Sequence, residues 1–197
     1  MEILEFRKEL ADALRSRNFS ELDGTGARKG AVLIILYPEG DDVNIIFTVR
    51  SQNVPTHKGE ISFPGGGYEP WDSDLIDTAL RETHEEIDLE VHREQVLGRL
   101  DDYSTSASKF VVAPFVAFLD SKPEVRPDSF EVAEILHVPL SCLLAPGAPE
   151  EGIIMSRVGE LKVPIFRYGE YKIWGATQKM LSGFIGIIKE FKSLQGP

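Results

Sequence analysis

The sequence predicts an α/β fold, a mixed β-sheet sandwiched between helices in an α/β/α arrangement. Short apolar runs bounded by turn residues read as strands, and several pair up as hairpins. Such runs outnumber the segments with helical periodicity. The two longest helical stretches are separated by a block of strands. At 197 residues and 42% hydrophobic content, the chain is long enough for one domain with a sizeable core. We divide it into residues 1–28, a helix and linker packing on the domain, and residues 29–197, the domain itself.

Residues 2–17 form an amphipathic helix with Leu4, Leu10, Ala13 and Leu14 on one face. Residues 18–30 hold Ser, Asp and three glycines and read as a linker. The continuous apolar run 31–36 is a buried strand. A turn over 38–42 leads to a second strand, 43–49, and the two make a hairpin. A polar loop over 51–60 carries His57, Lys58 and Gly59 and is placed to lie over a ligand. The glycines Gly65, Gly66 and Gly67 follow, a bend where backbone passes close to something or takes positive φ. The apolar positions of Leu75–Ile87 recur at helical spacing.

Two strands, 95–103 and 110–119, come next, joined by residues 104–109, which read as an ordinary hairpin connection, with phosphate contact by its serines and Lys109 as the alternative. Residues 123–127 are a loop, and an acidic stretch with Glu131 and Glu134 precedes Val138-Pro139-Leu140. A short helix over 141–149 ends in a Pro/Gly break. Residues 152–158 and 161–168 form a hairpin across Gly159 and Glu160. Tyr171 to Thr177 opens a C-terminal helix with Met180, Leu181, Phe184, Ile187, Ile188 and Phe191 on its apolar face.

Charge narrows the function. With 21 Lys and Arg against 32 Asp and Glu, the net charge is −11. A chain that acidic is a poor non-specific partner for nucleic acid or an anionic membrane, so a polyanionic substrate must be met by local cations or metal. The single cysteine, Cys142, leaves no internal disulfide and fits a reducing compartment. No stretch approaches the ~18 apolar residues of a membrane span, and the start is acidic where a signal peptide is basic. We expect a cytoplasmic protein, a monomer or homodimer. The four histidines lack the spacing of a zinc site.

Within Leu75–Ile87, Glu82, Glu85 and Glu86 fall at i, i+3 and i+4 along one flank of the apolar stripe. Like charges at that spacing repel. A hard divalent cation such as Mg²⁺, which takes oxygen ligands and shares them with phosphate, resolves the repulsion. Arg81, four residues before Glu85, buttresses the group, and Glu86 lies nearest the core.

The order of the glycines, an acidic residue, then Arg81-Glu82-x-x-Glu85-Glu86 resembles the Nudix box, the signature of Mg²⁺-dependent hydrolases of nucleoside diphosphates linked to another group. Aligned on Gly67, Ser73 stands at the family's acidic position. Aligned on Gly66, Asp72 supplies the acid and the following spacer is one residue longer, as in the coenzyme A pyrophosphatase subgroup. Asp88 stands where the family has Gly. Upstream, Thr48 to Ser51, Gly59 and Phe63 to Gly66 are similar to that subgroup's second pattern, with Pro55 where it has Arg. The Ile-Trp-Gly-Ala-Thr run of 173–177 is also similar to it.

The resemblance implies the Nudix fold and a pyrophosphohydrolase that uses Mg²⁺ or Mn²⁺. It implies metal ligation by Glu82, Glu85, Glu86 and the Gly65 carbonyl, with Glu85 or an acid of the 131–134 stretch taking the proton. In that reading Glu85, Arg81 and Glu131 are catalytic, and Arg50, Lys58, Gly59 and Gly66 meet the substrate. The substrate so implied is coenzyme A or an acyl derivative, split to 3′,5′-ADP and 4′-phosphopantetheine. ADP-ribose, a nucleotide sugar, a (d)NTP or a non-catalytic nucleotide sensor are the alternatives.

Overall fold

The computed structural model describes residues 2–23, 26–105, 110–156 and 159–194. β1 (Arg28–Glu39) is the axis of an eight-stranded mixed sheet. It pairs antiparallel with β2 (Asp42–Arg50) and, near its start, with β4 (Gly65–Gly67). On its other side it runs parallel to β7 (Phe110–Phe118). β2 also carries β3 (Ile61–Ser62) and β8 (Val132–Pro139), and β7 carries β5 (Val96–Arg99) and β6 (Tyr103–Thr105). A second, three-stranded antiparallel sheet is built from β9 (Glu150–Ser156), β10 (Gly159–Tyr168) and β11 (Tyr171–Ile173).

β1 is apolar on both faces because both are covered, and its side-chain alternation divides the core in two. Ile34 and Leu36 join α1 (Ile3–Ser16) and α4 (Gly175–Ile188) through Phe6, Leu10, Leu14, Leu181 and Phe184. Ala31, Leu33, Ile35 and Tyr37 turn the other way, onto Ala79 and Ile87 of α2 (Leu75–Ile87). The result is the expected α/β/α sandwich, with α2 the one described α-helix on its face. α1 comes so near β5 that a Cβ on Gly98 would lie 2.8 Å from Leu14 Cβ.

Several sequence expectations shift. Leu4 is 83% exposed, and the buried face of α1 is Phe6, Leu10 and Leu14, a strict i, i+4 row. The strand expected over 95–103 is broken. A 3₁₀ turn occupies Arg93–Gln95, and pairing stops after Arg99. Asp101 and Asp102 then leave the ladder to accept bonds from the Ser20 and Leu22 N–H groups, at 2.7 and 3.1 Å. Residues 18–22 are thereby tied to the domain.

The helix expected over 141–149 shrinks to α3 (Leu140–Leu143), because Pro146 and Gly147 at φ 86° cannot extend it. Tyr171 to Ile173 is not the start of the last helix but a strand turned back on β10 by Gly169 at φ 57°. Gly65 to Gly67 is a short strand rather than a bend. Ser106 to Lys109 lie outside the described residues. No described helix is long and apolar enough to cross a membrane.

Leu10 is fully buried between α1 and the sheet. Leu10→Ala is expected to lower unfolding free energy by about 3 kcal/mol in urea denaturation, through lost transfer energy plus a cavity.

Candidate active site

The site is built where α2 packs under β4. α2 begins cleanly: Asp74 caps it by accepting from the Ile76 and Asp77 N–H groups at 2.9 and 3.0 Å, and Arg93 pairs with Asp74 and Asp77. It ends on Asp88 in the left-handed conformation, φ 54°, whose N–H donates to the His84 carbonyl. That is the position where the family has Gly, and the aspartate adopts the backbone a glycine would.

Arg81 is the hub. Its Nε donates to Asp72 Oδ1 at 2.8 Å and its Nη2 to Asp72 Oδ2 at 3.0 Å, a bidentate pair. Nη2 also donates to the Gly67 carbonyl at 3.0 Å. Nη1 donates to Glu82 Oε1 at 3.0 Å and Glu85 Oε2 at 2.9 Å. All five N–H donors of the guanidinium are thus engaged. Asp72 is buried, receives the Thr78 hydroxyl at 2.9 Å, and is held well below the usual carboxylate range, at about 2, by Arg81. This decides the acidic position left open by sequence. Asp72 fills it and Ser73 does not, because only the longer spacer brings a carboxylate back onto Arg81.

The three glutamates differ in environment. Glu85 is exposed, Glu82 is mostly covered, and Glu86 is buried at 7% exposure. Burial pushes Glu86 up to about 8, and the charges of Glu82 and Glu131 add to this. The Gly65 N–H, donating to Glu86 Oε2 at 3.2 Å, and the Arg50 charge oppose it. Burial likewise raises Glu82. Gly66 runs directly against Glu82: a Cβ there would stand 2.4 Å from its carboxyl carbon. A side chain at this position would displace the carboxylate, which is the close approach the glycines foreshadow.

Among the described residues no three acidic or histidine side chains are already gathered as a coordination shell. Arg81 holds Glu82 and Glu85 instead. The donor set nevertheless fits a divalent cation: hard carboxylate oxygens, with the buried Glu86 in no direct ion pair among the described residues.

Two acids that sequence left as alternatives separate here. Glu131 acts on both Glu82 and Glu86 through its charge. Glu134 is taken by the Tyr171 hydroxyl at 2.6 Å. The segment before Glu131 closes the end of α2: the Arg126 and Asp128 N–H groups donate to the Ile87 and Glu86 carbonyls at 2.9 and 2.8 Å. Asp128 in turn receives the Glu131 and Val132 N–H groups at its carbonyl, and the Phe130 N–H at its side chain. Sequence reading missed Asp128, although Pro127-Asp128-Ser129 is a turn signature.

Of the expected substrate residues, Arg50 ends β2 at a register shift and its charge reaches Glu86. Lys58 stays exposed on its loop. Gly59, at φ 71°, donates its N–H to the Arg50 carbonyl at 2.9 Å. A cavity of about 560 Å³ lies by Ser73 to Ile76 at the start of α2. It is roughly 15 Å along the helix from the glutamates at 1.5 Å per residue, so it is not the site.

A Nudix fold with an Arg-braced glutamate cluster on its lone-face helix defines the class, and residues 27–158 match the NUDIX domain family. The chain belongs to that family. It is 32% identical over 185 residues to the peroxisomal coenzyme A diphosphatase NUDT7 of Mus musculus, covering 88% of this chain and 78% of that one. It is 36% identical over 152 residues to the mitochondrial coenzyme A diphosphatase NUDT8 of Homo sapiens, covering 75% and 64%. A MutT/nudix family protein from Enterococcus faecalis superposes over 99% of this chain and 79% of its own, with TM-score 0.60 at 16% identity. This last likeness is one of fold.

Two outcomes follow from the charges. Asp72 has a folded pKa below its unfolded value of 3.8, so its contribution is present above that pH and lost as pH falls through about 2. Asp72→Asn is expected to cost about 2 kcal/mol at pH 7 by urea denaturation, and almost nothing at pH 2. Glu86 has the opposite sign: its pKa rises from 4.5 to about 8 on folding, so stability drops as pH climbs between them. Glu86→Gln should therefore stabilise the metal-free protein by ~3 kcal/mol near pH 8 and have little effect near pH 4.

Proposed function

We propose that this Nudix hydrolase cleaves the diphosphate of coenzyme A or an acyl-coenzyme A with Mg²⁺ or Mn²⁺. The observation that carries the chemistry is the Glu82, Glu85 and Glu86 cluster braced by Arg81 and Asp72 against the glycine strand. Substrate choice is supported by the names of the two diphosphatase relatives and by the upstream Thr48-to-Gly66 resemblance.

Glu82, Glu85 and Glu86, with a carbonyl of the glycine strand, would hold the cation. The chemistry it supplies when bound is neutralisation of diphosphate oxygens and acidification of water. Water adds hydroxide to one phosphorus while the other phosphate leaves with the bridging oxygen, giving 3′,5′-ADP and 4′-phosphopantetheine. Glu85 or Glu131, both exposed, takes the water's proton. Arg81, with no donor left over, positions the glutamates rather than touching substrate. Arg50 meets a diphosphate oxygen, and Gly66 allows the backbone to stay close to Glu82.

A panel of coenzyme A, ADP-ribose, NADH and dNTPs, with each metal in turn, tests the substrate. Coenzyme A should be cleaved fastest; cleavage of ADP-ribose alone would overturn the choice. Glu85→Gln and Glu86→Gln should each cut turnover by about 10²-fold or more while the protein stays folded. Wild-type turnover in both would remove the glutamates from the chemistry.

A further inference from the structure

We infer that β9 is a self-association edge: two copies of the chain pair their β9 strands antiparallel, joining two three-stranded sheets into one of six strands. The inference stands apart from the coenzyme A reading and concerns a surface that the chemistry above does not use.

Its starting point is a misfit between the small sheet and its surroundings. β9 pairs with β10 alone among the described strands, and no other described helix or strand packs along it. Its outer side therefore presents unpaired N–H and C=O groups. Open edges are ordinarily protected by charge, proline, shortness or a cover. β9 is seven residues long, has no proline, and carries its charges, Glu150 and Glu151, at one end. The other end is apolar: Ile153 is 49% exposed and Met155 72%. Leu161 of β10 is exposed as well. By contrast, no strand of the eight-stranded sheet exposes a large apolar side chain among the described residues.

Two features choose a second copy as the occupant. The first is charge. A two-fold axis through Ile153 sets Glu151 opposite Met155 of the second copy, Gly152 opposite Ile154, and Glu150 opposite Ser156. The acids of each copy then meet no acid of the other. Like charges directly opposite destabilise a ladder, so gathering both acids at one end is what leaves antiparallel self-pairing free of repulsion. The second is apolar matching. Ile153 meets its own counterpart at the axis, and Met155 of each copy lies on the same face, because residues directly paired or two apart share a face. An isologous interface must complement itself, and this strand does. Seven residues of strand edge bury less than a standard interface, so the dissociation constant is expected on the order of 10 μM.

Sedimentation equilibrium of the full chain tests this. Each copy carries a net charge of −11, so the measurement is made in about 0.15 M salt, where separated charges are screened. The wild type should move from the 22.0 kDa monomer towards twice that mass as concentration rises. Met155→Glu sets a carboxylate opposite Glu151 of the second copy and should weaken the dimer about tenfold or more. Met155→Lys sets an ammonium there and should leave the dimer at least as tight as the wild type. Met155 is exposed, so both variants keep the core intact, which thermal melts check. A wild-type chain that stays monomeric at about 100 μM overturns the proposal and leaves the edge to a partner of another kind. A dimer that responds equally to both substitutions overturns it too, since the contact then lies elsewhere.

Discussion

The arrangement of this site depends on one guanidinium. Arg81 sits on α2 but donates to Asp72 before the helix, to Gly67 on the sheet, and to two glutamates of its own helix. Sheet, connecting turn and helix are thereby locked at one point. The geometry suits arginine alone, since a lysine ammonium has three donors and no planar fork to grip Asp72 with two parallel bonds. Asp72 matters in the same degree. Buried and ionised, it balances Arg81, so Glu82 and the exposed Glu85 are held by a cation that is itself anchored.

Around that lock the molecule carries a charge arrangement that folding alone would not favour. Glu86 is buried beside Glu82 and within reach of Glu131, with one backbone N–H and the more distant Arg50 to offset it. Burying such a group without a close positive partner is destabilising. Its persistence is what a site that awaits a cation looks like, in which ligand charge and protein stability trade against each other. The 126–131 segment belongs to the same device. By satisfying the last carbonyls of α2 it closes the end of that helix, and the charge of Glu131 just beyond it bears on Glu82 and Glu86. The Ser51 N–H, donating to the Glu131 carbonyl at 2.8 Å, ties that segment to the strand end that bears Arg50.

Much of this could be read from local pattern. The periodicity of Leu75–Ile87 placed Glu86 nearest the core, and it is the most buried of the three. The three glycines signalled a close approach, realised as Gly66 against Glu82. What local pattern misjudged were segments whose state depends on distant partners. Tyr171 to Ile173 is compatible with a helix start until β10 supplies a ladder. Residues 100–102 continue an apparent strand until the aspartates find Ser20 and Leu22 some eighty positions earlier in the chain. Leu4 satisfied an amphipathic pattern but not the particular row, Phe6, Leu10 and Leu14, that joins the core.

By itself, then, the sequence determined the sandwich, the strand and helix identities of the long elements, and the placing of Glu86 nearest the core on the glutamate helix. Each of these is written in periodicity or in residues a few positions apart, where backbone geometry translates spacing directly into proximity. Only the tertiary structure decided that Asp72 and not Ser73 answers Arg81, and that Glu134 is held by the Tyr171 hydroxyl. Those choices turn on ångström differences between groups far apart in the chain, which side-chain reach and hydrogen-bond geometry settle only once the sheet has brought them together.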